Sequence, residues 1–110
     1  MSELVDETAL IELRDVMGDL FSKLVDTFHT DGQVRIQAMY VAINDQDSES
    51  LRKAAHTFKG SASNVCALHL ASRLKAIEDF AKAGEFEQAQ ALVAQVELLL
   101  PDVVSALTDS

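Results

Sequence analysis

The sequence predicts an all-α fold, an antiparallel four-helix bundle with one or two additional short N-terminal helices, and three observations carry that prediction. Apolar residues recur at steps of three and four almost throughout, while alternating runs of β-branched residues are missing. The polar turns between the periodic stretches are short, which favours antiparallel neighbours. A length of 110 residues suffices for one compact domain over residues 1–110 and is too little for two.

A first short helix is expected from about Asp6, with Leu10, Leu13 and Met17 on one face and its end near Gly18. Asp19 then stands where it can cap the next helix. Leu20, Phe21, Leu24, Val25 and Phe28 form a wide apolar stripe on that second helix, and the polar HTDG stretch at 29–32 is expected to break or bend it. A third helix would bury Val34 or Ile36, then Met39, Tyr40 and Ile43, before the polar run NDQDSES at 44–50. Asp47 or Ser48 is the expected cap there, with Glu49 well placed in the first turn. The next helix, from about Ser50 to Cys66, places Leu51, Ala55, Phe58, Ala62 and Val65 on one narrow seam. Leu70, Leu74, Ile77 and Ala81 continue the spacing on a fifth, which stops at Gly84 as a left-handed cap. A sixth starts at Glu85 and points Phe86, Ala89, Val93, Val96 and Leu100 inward, with Val104 and Leu107 in register beyond. Pro101 is expected to kink it or to begin a separate last segment, since its ring removes a helical hydrogen bond.

Nine Lys plus Arg stand against eighteen Asp plus Glu, a formal charge of −9. A field of that sign repels phosphate backbones and anionic lipid, so neither nucleic acid nor a membrane surface is an expected partner. The acidic amphipathic N-terminus lacks the basic region and unbroken apolar run of a signal peptide, and Cys66 is a single thiol. Both features fit a cytoplasmic protein in a reducing compartment.

Against that acidic background the helix carrying Leu51 to Cys66 holds Arg52, Lys53 and Lys59 and no acid. At about 100° per residue, with Leu51 at zero, Lys59 falls near 80°, Arg52 near 100°, Ser63 near 120° and His56 near 140°. They share one flank, beside the core seam. Gly60 falls near 180°, where a mid-helix glycine costs about 1 kcal/mol relative to alanine and adds no packing. Its missing side chain lets a phosphoryl group or another protein approach His56 closely. An exposed neutral imidazole is a competent nucleophile, and Lys59 can neutralise charge on an attached phosphoryl group.

The stretch AHTFKGSASNVCALHLASRLKAIEDFAKAG, Ala55 to Gly84, with its His-x-x-Lys-Gly signature, resembles the core of a histidine-containing phosphotransfer (HPt) domain of bacterial phosphorelays. Asn64 and the Leu-x-x-x-Glu element ending at Glu78 match the usual run as well. The resemblance implies phosphorylation of His56 on Nε2, assistance from Lys59 and an open site at Gly60. Arg52, Lys53 and Ser63 on the same helix are candidates for auxiliary phosphate or docking roles, with plain surface charge the alternative for Arg52 and Lys53. The resemblance also implies receiver domains of a hybrid sensor histidine kinase and of a response regulator as partners. It further implies Mg²⁺ supplied by the receiver, no cofactor on this chain, and a monomer that leaves His56 accessible. One departure is Cys66, ten residues after His56, where such domains often have glycine. If that position needs positive φ the cysteine is strained, and the helix is then expected to run further before turning.

No Walker or GxGxxG motif occurs, so a phosphocarrier without autokinase activity is expected rather than an enzyme. A phosphate-independent helical adaptor explains the apolar stripes equally well but not the exposed Gly60 beside His56 and Lys59. His29, near the HTDG turn, reads as a helix-end residue, and His69 as either solvent-exposed or bordering the site, with no motif of its own. No pair of histidines at metal-ligand spacing occurs, and no metal is expected; Cys66 reads as a small buried hydrophobe.

Overall fold

The computed structural model describes residues 4–108, and among them every regular element is helical. They are α1 (Glu7–Met17), α2 (Leu20–Asn44), α3 (Ser48–Asn64), α4 (Leu68–Ala83) and α5 (Phe86–Thr108). The last four form the bundle: α3 packs on α2 and α4, and α5 closes the ring against α4 and α2, while α1 lies on α2. Leu51, Phe58, Leu70, Leu74, Ile77, Val93, Val96 and Leu107 have almost no solvent exposure and make the centre of the core.

At two places where the sequence allowed a break, the helix is continuous. The second and third predicted helices are one helix, because Val25, Phe28, Gly32, Ile36, Met39 and Ile43 are all buried and fall on a single continuous stripe through the HTDG segment. Gly32 is helical because it is packed: a Cβ there would stand 3.0 Å from Phe58 Cζ and 3.1 Å from Leu100 Cδ2. His29 is accordingly a mid-helix residue and not a helix end. Ile36 takes the buried position and Val34 is exposed, as is Leu20 at the start of the stripe. Pro101 likewise neither ends α5 nor starts a separate segment. Leu100, Val103 and Leu107 stay buried on one face around it, while the exposed Pro101 faces away from the core. By length and hydropathy α5 could cross a membrane, but its apolar stripe is spent on the bundle core.

The three connections within the bundle use one device. In each, an amide two or three residues past the helix bonds back five residues while the residue before it turns left-handed. The pairs are Asp47 N to Ala42 O at 2.8 Å, Ala67 N to Ala62 O at 2.9 Å and Glu85 N to Phe80 O at 2.9 Å. The left-handed residues are Gln46 (φ 53°), Cys66 (φ 64°) and Gly84 (φ 71°). So α3 does not run past Cys66. It ends there, and the cysteine accepts a conformation that costs a side-chain-bearing residue about 1–2 kcal/mol. The Cys66 carbonyl accepts from the Asp6 amide at 2.8 Å, which ties the start of α1 to this turn.

Of the two N-terminal caps expected from the sequence, the one at Asp47 forms, accepting from Ser50 N at 3.1 Å, and Asp6 caps α1 as well, accepting from Ala9 N at 3.1 Å. Asp19, in contrast, lies in helical geometry (φ −65°, ψ −17°) and makes no side-chain cap bond. At the other end of the molecule the Arg14 guanidinium donates to the Leu107 carbonyl and lies 5.0 Å over the Phe21 ring, so α1 holds the last turn of α5.

Gly32→Ala tests the packing account of α2. Helix propensity favours alanine by about 1 kcal/mol, but Phe58 and Leu100 are enclosed and cannot retreat, and overpacking costs about 1–3 kcal/mol. We expect a net loss of about 1 kcal/mol in urea denaturation; a stabilised variant would show that the core yields.

Candidate phosphotransfer site

α3 divides its surface between two tasks. Leu51, Ala54, Ala55, Phe58 and Ala62 face the core, and the opposite side carries His56, Lys59 and Gly60. His56 is 60% exposed and Lys59 27% exposed, and both lean toward α4. There they meet Glu78, which is 4% exposed and is, among the described residues, the one charged residue in the core. Its Oε2 lies 3.0 Å from His56 Nδ1, and its Oε1 accepts from Lys59 Nζ at 2.9 Å. One carboxylate thus spans both residues of the His-x-x-Lys pair.

Burial would raise the Glu78 carboxyl, but hydrogen bonds from Lys59 and His56, with their charges, outweigh it and hold the group below the usual carboxylate range. Glu78 is therefore ionised at neutral pH and can only accept. It follows that the proton of the neutral imidazole sits on Nδ1 and the lone pair on Nε2, the far nitrogen of a largely exposed ring. That is the tautomer a nucleophile attacking from solvent needs.

The remaining predicted residues divide. Gly60 is exposed, and a Cβ built on it meets nothing within 4 Å, so nothing inside the chain requires a glycine there. Arg52 is not gathered into the site: it makes a two-pronged pair with Glu49 at 2.9 Å and 2.9 Å in the first turn of α3. The positive strip expected from the sequence is thereby offset at both ends, by Glu49 on Arg52 and by Glu78 on Lys59. Lys53 is exposed one residue on, and Ser63 is exposed one turn beyond Lys59. The structure brings His69 into the first turn of α4, where its carbonyl accepts from Arg73 at 3.4 Å. His29 lines a shallow groove between α2 and α5 with Gln33, Ile36, Gln37, Glu97, Leu100 and Pro101, away from His56. Among the described residues no group of three or more potential ligands could hold a metal. Cys66 is half-buried rather than buried, and burial together with the Asp6 charge pushes its thiol up, which leaves it protonated.

Glu78 was matched in the sequence only as part of a run and not as a member of the site. Its signal was nonetheless present. It falls one turn after Leu74 and beside Ile77, an acid on the inward stripe of a helix, and such a residue must find a partner.

The family model for the Hpt domain matches residues 23–107. The chain belongs to the Hpt family. Among solved structures, the crystal structure of histidine-containing phosphotransfer protein B (HptB) from Pseudomonas aeruginosa PAO1 matches with a TM-score of 0.92 and 34% identity, over 99% of this chain and 95% of that one. No curated protein matches the sequence. Family and fold together give the chain the activity of an Hpt protein, histidine phosphotransfer within a phosphorelay, and do not favour an adaptor that works without phosphate.

The depressed carboxyl makes a pH prediction whose sign is fixed. A group lowered in the fold stabilises it fully above its ordinary value of about 4.5 and loses that contribution as the pH falls through the lower, folded value. Urea denaturation of the wild type should therefore weaken more steeply between about pH 6 and pH 3 than that of Glu78→Gln. Asp47 and Glu49, also lowered by their hydrogen bonds to Ser50 and Arg52, are common to both proteins and cancel in the difference. Parallel pH profiles would count against a charged Glu78.

Proposed function

We propose that His56 is the phosphorylated residue and that the chain is a carrier between two receiver domains. The observation that carries this reading is the Glu78 carboxylate on His56 Nδ1, which turns an exposed, reactive Nε2 outward at the point where Gly60 leaves the surface bare. An aspartyl-phosphate on the receiver of a hybrid sensor kinase is attacked in line by Nε2. The O–P bond breaks as the N–P bond forms, and the receiver carboxylate leaves. The reverse step then loads the aspartate of a response regulator. Lys59, already 27% exposed at the rim, turns its ammonium toward the phosphoryl oxygens.

Positioning and one neutralising charge are all this chain contributes; the Mg²⁺ and acidic pocket belong to the receiver, and no cofactor is needed here. The chain draws phosphate from a receiver and not from ATP, in keeping with a sequence that has no glycine-rich phosphate-binding loop. A soluble, monomeric protein in the cytoplasm suits an exchange in which two partners must reach the same histidine in turn.

Incubation with a phosphorylated receiver and Mg²⁺ tests the assignment. Wild type should acquire acid-labile, alkali-stable phosphate on His56, and His56→Gln should acquire none while still binding the receiver. Normal transfer to His56→Gln would overturn it. Gly60→Ala separates access from folding: the helix should gain up to about 1 kcal/mol, while transfer from a receiver slows at least about tenfold. Labelling by phosphoramidate, a small donor that needs no docking, should be unchanged. An unslowed receiver reaction would remove the access role of Gly60.

A further inference from the structure

Charge is unevenly placed on this protein. Of its residues 25% are charged, yet every exposed residue of α2 from Thr27 to Asn44 is uncharged. The two charged residues of that stretch, Asp31 and Arg35, are half-buried and paired with each other at 3.4 Å. On α5 the outward residues Ala91, Ala94, Leu98 and Pro101 are uncharged as well, and Leu98 is 74% exposed. Uncharged surface gives up its water at little cost, as the centre of a protein interface must.

Between these two helices runs the groove that His29 lines, with a volume of about 350 Å³ and a floor of the buried Ile36 and Leu100. Its rim holds acceptors with no cation opposite them. One oxygen of the Glu97 carboxylate accepts from the Tyr40 hydroxyl at 2.9 Å. Burial, with the hydrogen bond and charge of Glu97, raises that hydroxyl above its usual range, so it stays a donor. The second carboxylate oxygen takes no hydrogen bond from any described residue. The Glu97 main-chain carbonyl lacks its ordinary helical donor too, since Pro101, four residues on, has no N–H. Among the described residues no Lys or Arg lines the groove.

We propose that this groove is a docking site for an arginine of a partner protein, its guanidinium on the Glu97 carboxylate and carbonyl and its stem over Ile36 and Leu100. The charge calls for a cation, because the groove holds one unneutralised carboxylate on a chain of net charge −9. Two separate acceptors call for the planar fork of a guanidinium, which donates in several directions, over the point charge of an ammonium. The apolar floor suits a long methylene stem. Ala94, Leu98 and Pro101 beside it suit an apolar neighbour of the arginine in the partner's sequence. His56 leans toward α4 while the groove lies between α2 and α5, so a partner held here leaves the His56 face open. The site is one for tethering and takes no part in transfer.

The probe is the tripeptide acetyl-Leu-Arg-Leu-amide, titrated into the ¹⁵N-labelled full chain and followed by NMR, with the citrulline peptide as an uncharged control of the same shape. The arginine peptide should shift the amides of Gln33, Gln37, Glu97 and Leu98 and leave those from His56 to Gly60 in place. The citrulline peptide should bind about fivefold more weakly, and Glu97→Gln should weaken arginine binding by a similar factor. Pro101→Ala gives the Glu97 carbonyl back its helical donor, so it should stabilise the fold in urea and yet weaken binding about threefold. A purely structural role for Glu97 and Pro101 predicts wild-type affinity in both variants, and that result would overturn the proposal. So would equal binding of the two peptides, no shift with either, shifts spread over the acidic surface, or shifts confined to the His56 face.

Discussion

A carboxylate that is 4% exposed cannot stay charged unless it is paired, and in this protein the two partners of Glu78 are His56 and Lys59, the residues proposed to carry and to assist the phosphoryl group. That single constraint orders much of the molecule. The oxygens of Glu78 face His56 and Lys59, one turn apart on α3, so α3 and α4 have one register in which both contacts are made. A one-turn slip would leave a buried charge without a partner, at a cost of several kcal/mol. The hydrophobic seams of the two helices fit that same register, with Leu51, Ala55, Phe58 and Ala62 against Leu70, Leu74, Ile77 and Ala81. Packing and the polar contact reinforce each other, which is the consistency expected of a sequence with one preferred fold.

The two mid-helix glycines show how differently the same residue type can be required. Gly32 is there because no room exists: Phe58 and Leu100 occupy the space that a methyl group would need. Gly60 is there although room is abundant, since its absent Cβ would meet nothing of this chain. One glycine is explained by the inside of the molecule, while nothing inside it calls for the other, which is where the proposed approach of a partner gives a reason. Phe58 joins the two, because it fills the core beneath Gly32 from the helix that presents His56 and Gly60 to solvent. The site is therefore a rigid face of the bundle and not a loop, and the rigidity comes from the same aromatic contact, Phe28 on Phe58 at 6.0 Å, that locks α2 to α3.

The sequence made some of this legible and concealed the rest for identifiable reasons. The bundle, the seams of α3, α4 and α5, the Asp47 and Gly84 caps and the placing of His56, Lys59 and Gly60 all follow from spacing. HTDG has the local chemistry of a turn, and the stripe reads through its glycine only once the neighbouring Phe58 and Leu100 are known. At Pro101 only the reading as a separate segment fails: its cost is borne on the exposed side of a helix whose other face is buried. The left-handed turns at Gln46 and Cys66 carry no glycine to announce them, and both are held by the backbone bonds that close the preceding helix. Glu78 was visible only as an anomaly, an acid among inward positions, and its meaning needed the partner helix.

The placing of charge shows what kind of donor and acceptor the site is built to be. A purely cationic strip would hold a phosphate dianion tightly, and a carrier that binds its cargo tightly transfers it slowly, because ground-state stabilisation raises the barrier to departure. Here Arg52 is neutralised by Glu49 and Lys59 is shared with Glu78, so the resting site is close to balanced in charge while the protein as a whole is strongly acidic. Under the proposed assignment the phosphoryl group would be met by one adjustable ammonium whose other tie is only a hydrogen-bonded ion pair. Such a site would accept a phosphoryl group without trapping it, leaving the chemistry that decides each transfer to the receiver proposed to dock against the bare surface at Gly60.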